Sequence, residues 1–202
     1  MSITHVFFDV GGVLGTNGWD QRQRTAAAEA FGLDVAELHK RHEEAVMAWE
    51  TGGMSLDQYL DHTVFHRARP FSREEFRTFM LSQSVAFPET IAVARDLART
   101  GRYRMMTINN ESAELNAYRL HVFGLRDIFD AFFTSCWVGV LKPSRQIYER
   151  ALVMSQADPS AAAFIDDREH NLETARGLGM HTILYHDAPQ LRRDLTALAV
   201  AI

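Results

Sequence analysis

Hydrophobic and polar positions along the chain sort into two alternating kinds of segment. Short apolar runs, bounded by glycine or polar residues, occupy 5–9, 103–108, 131–135, 162–165 and 181–185. Runs of this length with such boundaries read as strands buried on both faces of a parallel sheet. Helical spacing fills the gaps over 88–100, 111–123, 144–154 and 171–178. Strands alternating with helices in this way predict βαβ units. The fold class expected is therefore α/β, a Rossmann-like parallel sheet with helices on both faces.

One stretch breaks the alternation. From about 20 to 84 the chain has no convincing strand, only successive helical patterns punctuated by Gly52-Gly53 and Pro70-Phe71-Ser72. Ser55 with Gln58, and Ser72 with Glu75, have the spacing of capping boxes, in which a hydroxyl and a Glu or Gln three residues on satisfy each other's backbone N–H groups. The expectation is a four-helix domain over 16–85, inserted into a core made of 1–15 and 86–202.

Composition narrows the function classes only a little. The 202 residues are 47% apolar and 23% charged, enough to build a core without staples. A net charge of -5 argues against a nucleic-acid partner. The single cysteine, Cys136, excludes an intramolecular disulfide and a Cys-based zinc site, and is expected to be buried and inert. No run approaches the length of a bilayer span, and the N-terminus lacks the pattern of a signal peptide, so a cytoplasmic protein with no membrane partner is expected. Monomer and homodimer both remain open.

In an open parallel sheet, ligands bind beyond the carboxyl ends of the strands. The polar residues that finish the apolar runs are Asp9, Asn109 with Asn110, Ser135, and Asp166 with Asp167, and Lys142-Pro143 follows the third run. Three carboxylates, two amides and a lysine on one edge make a plausible phosphate and metal site. Gly11-Gly12 would let backbone N–H groups approach an anion closely.

The order of Asp9-Val-Gly-Gly12, then Asn109-Asn110, then Lys142-Pro143, then Asp166-Asp167 resembles the haloacid dehalogenase superfamily. The stretches Ser135-Cys-Trp-Val-Gly-Val-Leu-Lys-Pro143 and Phe164-Ile-Asp-Asp167, the latter followed by Asn171 and Ala175-Arg-Gly-Leu-Gly179, resemble its phosphatase branch. They are similar to the N-terminal phosphatase domain of soluble epoxide hydrolase and to bacterial sugar-phosphate phosphatases. The resemblance covers roughly 3–14 and 88–187, and it implies that the inserted helices are a substrate-selecting cap. It also implies a Mg²⁺-dependent phosphatase of small phosphorylated metabolites. Asp9 would be the nucleophile that forms an aspartyl-phosphate, with Lys142 holding its carboxylate and neutralising the phosphoryl group. Asp9, Asp166, Asp167 and the Gly11 carbonyl would hold Mg²⁺. Gly11, Gly12, Asn109 and Asn110 would meet the substrate, the register between the two asparagines being open. Asn171 would support the metal loop.

The chain departs from this pattern at Gly11, where the phosphatase branch carries a second Asp as general acid. Three explanations stand: a donor from the insertion (His39, His42 or Asp20), a substrate with a good leaving group, or lost turnover. The alternative functions are accordingly a 2-haloacid dehalogenase, which needs no such acid, and a non-catalytic phosphate-binding protein. His39, His42, His62 and His66 are otherwise expected on the surface, and Trp19 and Trp49 in the core.

Overall fold

β1 (His5–Phe8) begins a sheet in which every later strand runs parallel to it. In the computed structural model, which describes residues 2–201, four helices follow: α1 (Gln21–Phe31), α2 (Val35–Glu50), α3 (Leu56–Thr63) and α4 (Arg73–Ser82). The chain returns through α5 (Pro88–Arg99) to β2 (Arg104–Asn109), then α6 (Ala113–Val122), β3 (Ala131–Thr134), α7 (Ser135–Val138) and α8 (Arg145–Ser155). It ends with β4 (Ala162–Asp166), α9 (Glu169–Gly177), β5 (His181–Leu184) and α10 (Ala188–Ala197). Each strand end lies within one residue of the position expected from the apolar runs. The strand order is β3-β2-β1-β4-β5. β1 is therefore central, and the order of connection reverses beside it, which is where sheets of this kind open a crevice.

The period of two along each strand explains how one sheet serves two cores. Val6 and Phe8 point to the face covered by α5 and α10, where they meet Val93, Leu97, Leu191 and Leu195. Phe7 points the other way, onto Ile147, Tyr148, Leu172 and Ala175 of α8 and α9. All three β1 side chains are fully buried, so truncating Phe7 to Ala would cost about 3–5 kcal/mol. This packing fixes the position of Asp9, one residue past β1.

The inserted helices have a core of their own. Trp19, Leu38, Trp49, Leu56, Tyr59, Phe76 and Met80 form it, and Leu115 of α6 joins it from the sheet side. Both expected capping boxes are present: Ser55 Oγ accepts from Gln58 N at the start of α3, and Ser72 Oγ from Glu75 N at the start of α4. Trp49 stacks on Tyr59 with ring centres 4.0 Å apart, joining α2 to α3. The end of α2 docks on the sheet domain, where Ser135 Oγ donates to the Glu50 carbonyl at 2.6 Å. A Cβ on Gly52 would stand 2.3 Å from the Cys136 carbonyl oxygen, so only glycine permits that approach. No described helix is long and apolar enough to cross a membrane.

Candidate active site

The carboxyl ends of β1 and β4 are neighbours in the sheet, and this adjacency brings Asp9 to Asp166 and Asp167. Lys142, in the loop before α8, reaches between the strands. Its Nζ is 2.7 Å from Asp9 Oδ1 and 2.7 Å from Asp166 Oδ2, and all three side chains are buried. Burial alone would lower the lysine's affinity for its proton, but Asp9 and Asp166 more than offset this and hold its pKa above the usual value. Burial pushes the Asp9 carboxyl up, to about 7; Lys142 opposes the shift, while Asp166 and Asp167 add to it.

Asp166 is saturated with donors. Its oxygens accept from Lys142 Nζ, from Arg168 N at 2.8 Å and from Asn171 Nδ2 at 3.0 and 3.1 Å. Asn171 thus supports this loop through Asp166. Asp167 differs, because its Oδ1 is buried and has no partner. Carboxylate oxygens of Asp9, Asp166 and Asp167 lie within 4.8 Å of one another. Two buried carboxylates and a half-buried third with an orphaned oxygen are unfavourable together unless a further cation joins them. An all-oxygen donor set of this kind fits a hard divalent ion such as Mg²⁺. Gly12 leaves room for the Asp167 carboxylate: its φ is +79°, and a Cβ there would stand 2.2 Å from Asp167 Oδ2.

The two asparagines part company at the end of β2. Asn109 is buried and turned inward, accepting from Thr134 Oγ1 at 3.0 Å, with Nδ2 3.5 Å from Asn116 Oδ1. It does not border the cavity over Asp9. Asn110 does, and its side chain clamps the Lys142 backbone in both directions, accepting from N at 2.7 Å and donating to O at 2.9 Å. It therefore positions the lysine loop. Ser135 is wholly buried and ties the loop after β2 to the end of α2, accepting from Glu111 N at 3.0 Å.

The cavity over Asp9 has a volume of about 270 Å³ and lies between the strand ends and the inserted helices. Asp9, Gly11, Asn110, Lys142 and Asn171 line its floor. Trp19, Arg24, His42 and Glu50 close it from the insertion. Two polar groups border the space a side chain at position 11 would occupy: a Cβ on Gly11 would meet Asn17 Oδ1 at 3.3 Å and Arg119 Nη1 at 3.6 Å. Arg119 is itself held by Thr16 O, Ser84 Oγ and the Glu111 carboxylate.

The expectation of surface histidines fails for His42, which is buried against the cavity because it shares the packed face of α2 with Leu38, Ala45 and Trp49. Trp19 Nε1 donates to Tyr59 Oη at 3.0 Å, which leaves the phenol proton for His42 Nδ1 at 2.8 Å. His42 is thereby an acceptor at Nδ1 and carries its proton on Nε2. Burial, with Arg24 and His39 adding to it, pushes its pKa down to about 3. Trp19 and Trp49 are in the core as expected, and Trp19 also lines the cavity. Cys136 is half-buried; burial pushes its thiol up to about 12, which keeps it inert.

Sequence reasoning missed Arg24, Glu50, Glu111 and Arg119. None ends an apolar run except Glu111, one residue beyond Asn110, where the strand-end rule could have found it. Arg24 is 8% exposed, donates through Nη1 to the Trp19 carbonyl and has no partner at Nε.

Known proteins resemble this chain in sequence and in fold. The pig bifunctional epoxide hydrolase 2 is 27% identical over 222 residues, covering 96% of this chain but only 38% of its own length. A HAD family enzyme from Bacteroides thetaiotaomicron, solved in complex with magnesium and inorganic phosphate, superposes with a TM-score of 0.74 at 18% identity, over 92% of this chain and 95% of that one. An L-2-haloacid dehalogenase superposes with a TM-score of 0.63 at 19% identity, over 90% and 83%. At such identities the structural likenesses speak for the fold alone. The sequence pattern of the haloacid dehalogenase-like hydrolases matches residues 3–179, and with nearly the whole chain accounted for, the protein belongs to that family.

Proposed function

We propose that the protein is a Mg²⁺-dependent phosphatase of a small phosphorylated metabolite, with the inserted helices acting as its cap domain and Asp9 as its nucleophile. The observation that carries the reading is the Asp9–Lys142–Asp166 bridge beside the unpartnered oxygen of Asp167. Displacement at carbon needs no cluster of buried acids, whereas a phosphoryl group brings negative charge that a cation and a lysine must balance. The magnesium and phosphate bound by the Bacteroides relative support the same reading.

In this mechanism Asp9, Asp166 and Asp167 would hold the metal, and the Gly11 carbonyl is the backbone ligand that the family resemblance implies. Bound there, Mg²⁺ would neutralise charge on the phosphoryl oxygens and keep Asp9 ionised. Lys142 fixes Asp9 through its 2.7 Å contact and aims it at phosphorus. Asn110 holds the lysine loop in register, and the cavity floor offers the N–H of Gly11 to the phosphoryl oxygens, while the Gly12 N–H expected beside it is spent on the Gly15 carbonyl at 2.8 Å. Asp9 Oδ attacks, the ester oxygen departs, and water later releases phosphate from the aspartyl-phosphate. A cavity of about 270 Å³ limits the substrate to a small molecule.

The dehalogenase reading keeps one observation in its favour, the guanidinium of Arg119 where an acid at position 11 would stand. Phosphate release from a panel of small phosphate esters, with Mg²⁺ and with EDTA, separates the two. Turnover that requires Mg²⁺ is expected. Chloride release from a 2-haloacid, unaffected by EDTA, would replace the phosphatase reading.

A further inference from the structure

Position 11 carries no side chain, and Asn17 and Arg119 border the space beside it, so the proton for a departing alkoxide has to come from another wall of the cavity. Four groups on that wall could carry one: Asp20, His42, Glu50 and Glu111. Three are committed elsewhere. Asp20 caps α1, accepting from Arg22 N and Gln23 N. Glu111 accepts from Ser112 N at 2.9 Å and pairs with Arg119 at 3.6 Å. His42 is a neutral imidazole whose Nδ1 already accepts from Tyr59. His39 does not border the cavity.

Glu50 remains. It is the last residue of α2, half-buried, and its carboxyl has no hydrogen-bond or ion-pair partner among the described residues. Its backbone is anchored by Ser135 Oγ at 2.6 Å and by the close approach of Gly52 to Cys136, so two contacts with the sheet domain fix the end of α2 whose Glu50 lines the cavity. We propose that Glu50 of the cap is the general acid–base of this enzyme, replacing the acid that Gly11 lacks. The inference rests on the phosphatase reading. As Asp9 Oδ bonds to phosphorus, the bond from phosphorus to the ester oxygen breaks, and that oxygen takes its electron pair and the Glu50 proton, leaving as an alcohol. Water then attacks the aspartyl-phosphate, gives its proton to the Glu50 carboxylate and releases inorganic phosphate, restoring Asp9. Because the acid is carried by the cap, the site is complete only while the cap is docked.

The electrostatics agree. Burial pushes the Glu50 carboxyl up to about 7, and Glu111 adds to the shift; Arg168 of the loop before α9, Arg24 of α1 and Lys142 oppose it. At neutral pH it is therefore protonated in a large fraction of molecules.

The test compares an alkyl phosphate, a poor leaving group, with p-nitrophenyl phosphate, a good one, in wild type and Glu50→Gln, with Mg²⁺ present. The rate of first-turnover leaving-group release is read. The alkyl rate is expected to fall by about 10²- to 10⁴-fold and the aryl rate by less than about tenfold. In wild type the alkyl rate should also decline as pH rises through about 7, where Glu50 loses its proton, and Glu50→Gln should flatten that limb. Equal losses on both esters, or no loss on either, would overturn the assignment, and the surviving aryl burst reports that the variant is folded. Wild-type protein silent on both esters would overturn the phosphatase reading and this inference with it.

Discussion

Replacing Gly12 by Ala is the smallest change that separates a backbone effect from an effect on the acid cluster. A Cβ at Gly12 would lie 2.2 Å from Asp167 Oδ2 and 2.5 Å from its Cγ. That is roughly 1 Å short of ordinary contact, so the carboxylate must swing away. The same methyl also pays for a backbone at φ +79°, which costs an L-residue about 1–2 kcal/mol. Gly32→Ala provides the control: its φ is +62° and a Cβ there meets nothing within 4 Å. Both variants should lose similar stability in urea titrations, but Gly12→Ala alone should bind Mg²⁺ more weakly. A displaced carboxylate ligand of this kind should cost on the order of 10- to 100-fold in affinity. Isothermal titration calorimetry with Mg²⁺ measures it. An unchanged Mg²⁺ affinity in Gly12→Ala would refute the placement of the cation at Asp167.

Other outcomes follow from single contacts. His42 has its pKa pushed down to about 3, so the unfolded chain binds a proton that the folded one refuses below about pH 6.5. Stability is therefore complete above pH 6.5 and is lost as pH falls toward 3; a few kcal/mol are at stake, and His42→Gln should flatten that part of a stability–pH curve. Ser72→Ala removes the hydroxyl half of the α4 capping box and should lower urea stability by about 1 kcal/mol, while turnover is retained.

The sheet was legible because its strands are buried on both faces. Phe7 and Phe8 belong to different cores, and a segment that must satisfy both cannot alternate with polar residues, so it stands out as an apolar run. The acids at the ends of β1 and β4 could be paired from sequence because the strand-end rule depends only on topology. α10 was missed, although Asp187 and Pro189 at its start carry an N-cap and first-turn signal. Arg119 and Glu50 were not legible at all. Arg119 is mid-helix in α6, with nothing local to distinguish it from a solvated arginine, and it enters the site only because α6 packs beneath the loop of Thr16 and Asn17. Glu50 comes to the cavity over Asp9 through the docking of α2 on Ser135, a contact 85 residues away in sequence. Asn109 shows the opposite failure. Its position at a strand end suggested a ligand contact, but the hydroxyl of neighbouring Thr134 donates to its amide oxygen and holds it within the sheet.

The central claim is that Asp9 becomes covalently phosphorylated. Rapid acid quench of the Mg²⁺-loaded protein with p-nitrophenyl phosphate, followed by peptide mass spectrometry, tests it directly. A transient phosphoryl group is expected on the peptide that contains Asp9, and none in Asp9→Asn. Steady phosphate release with no phosphoryl group on Asp9 at any quench time, or turnover that survives in Asp9→Asn, would contradict it.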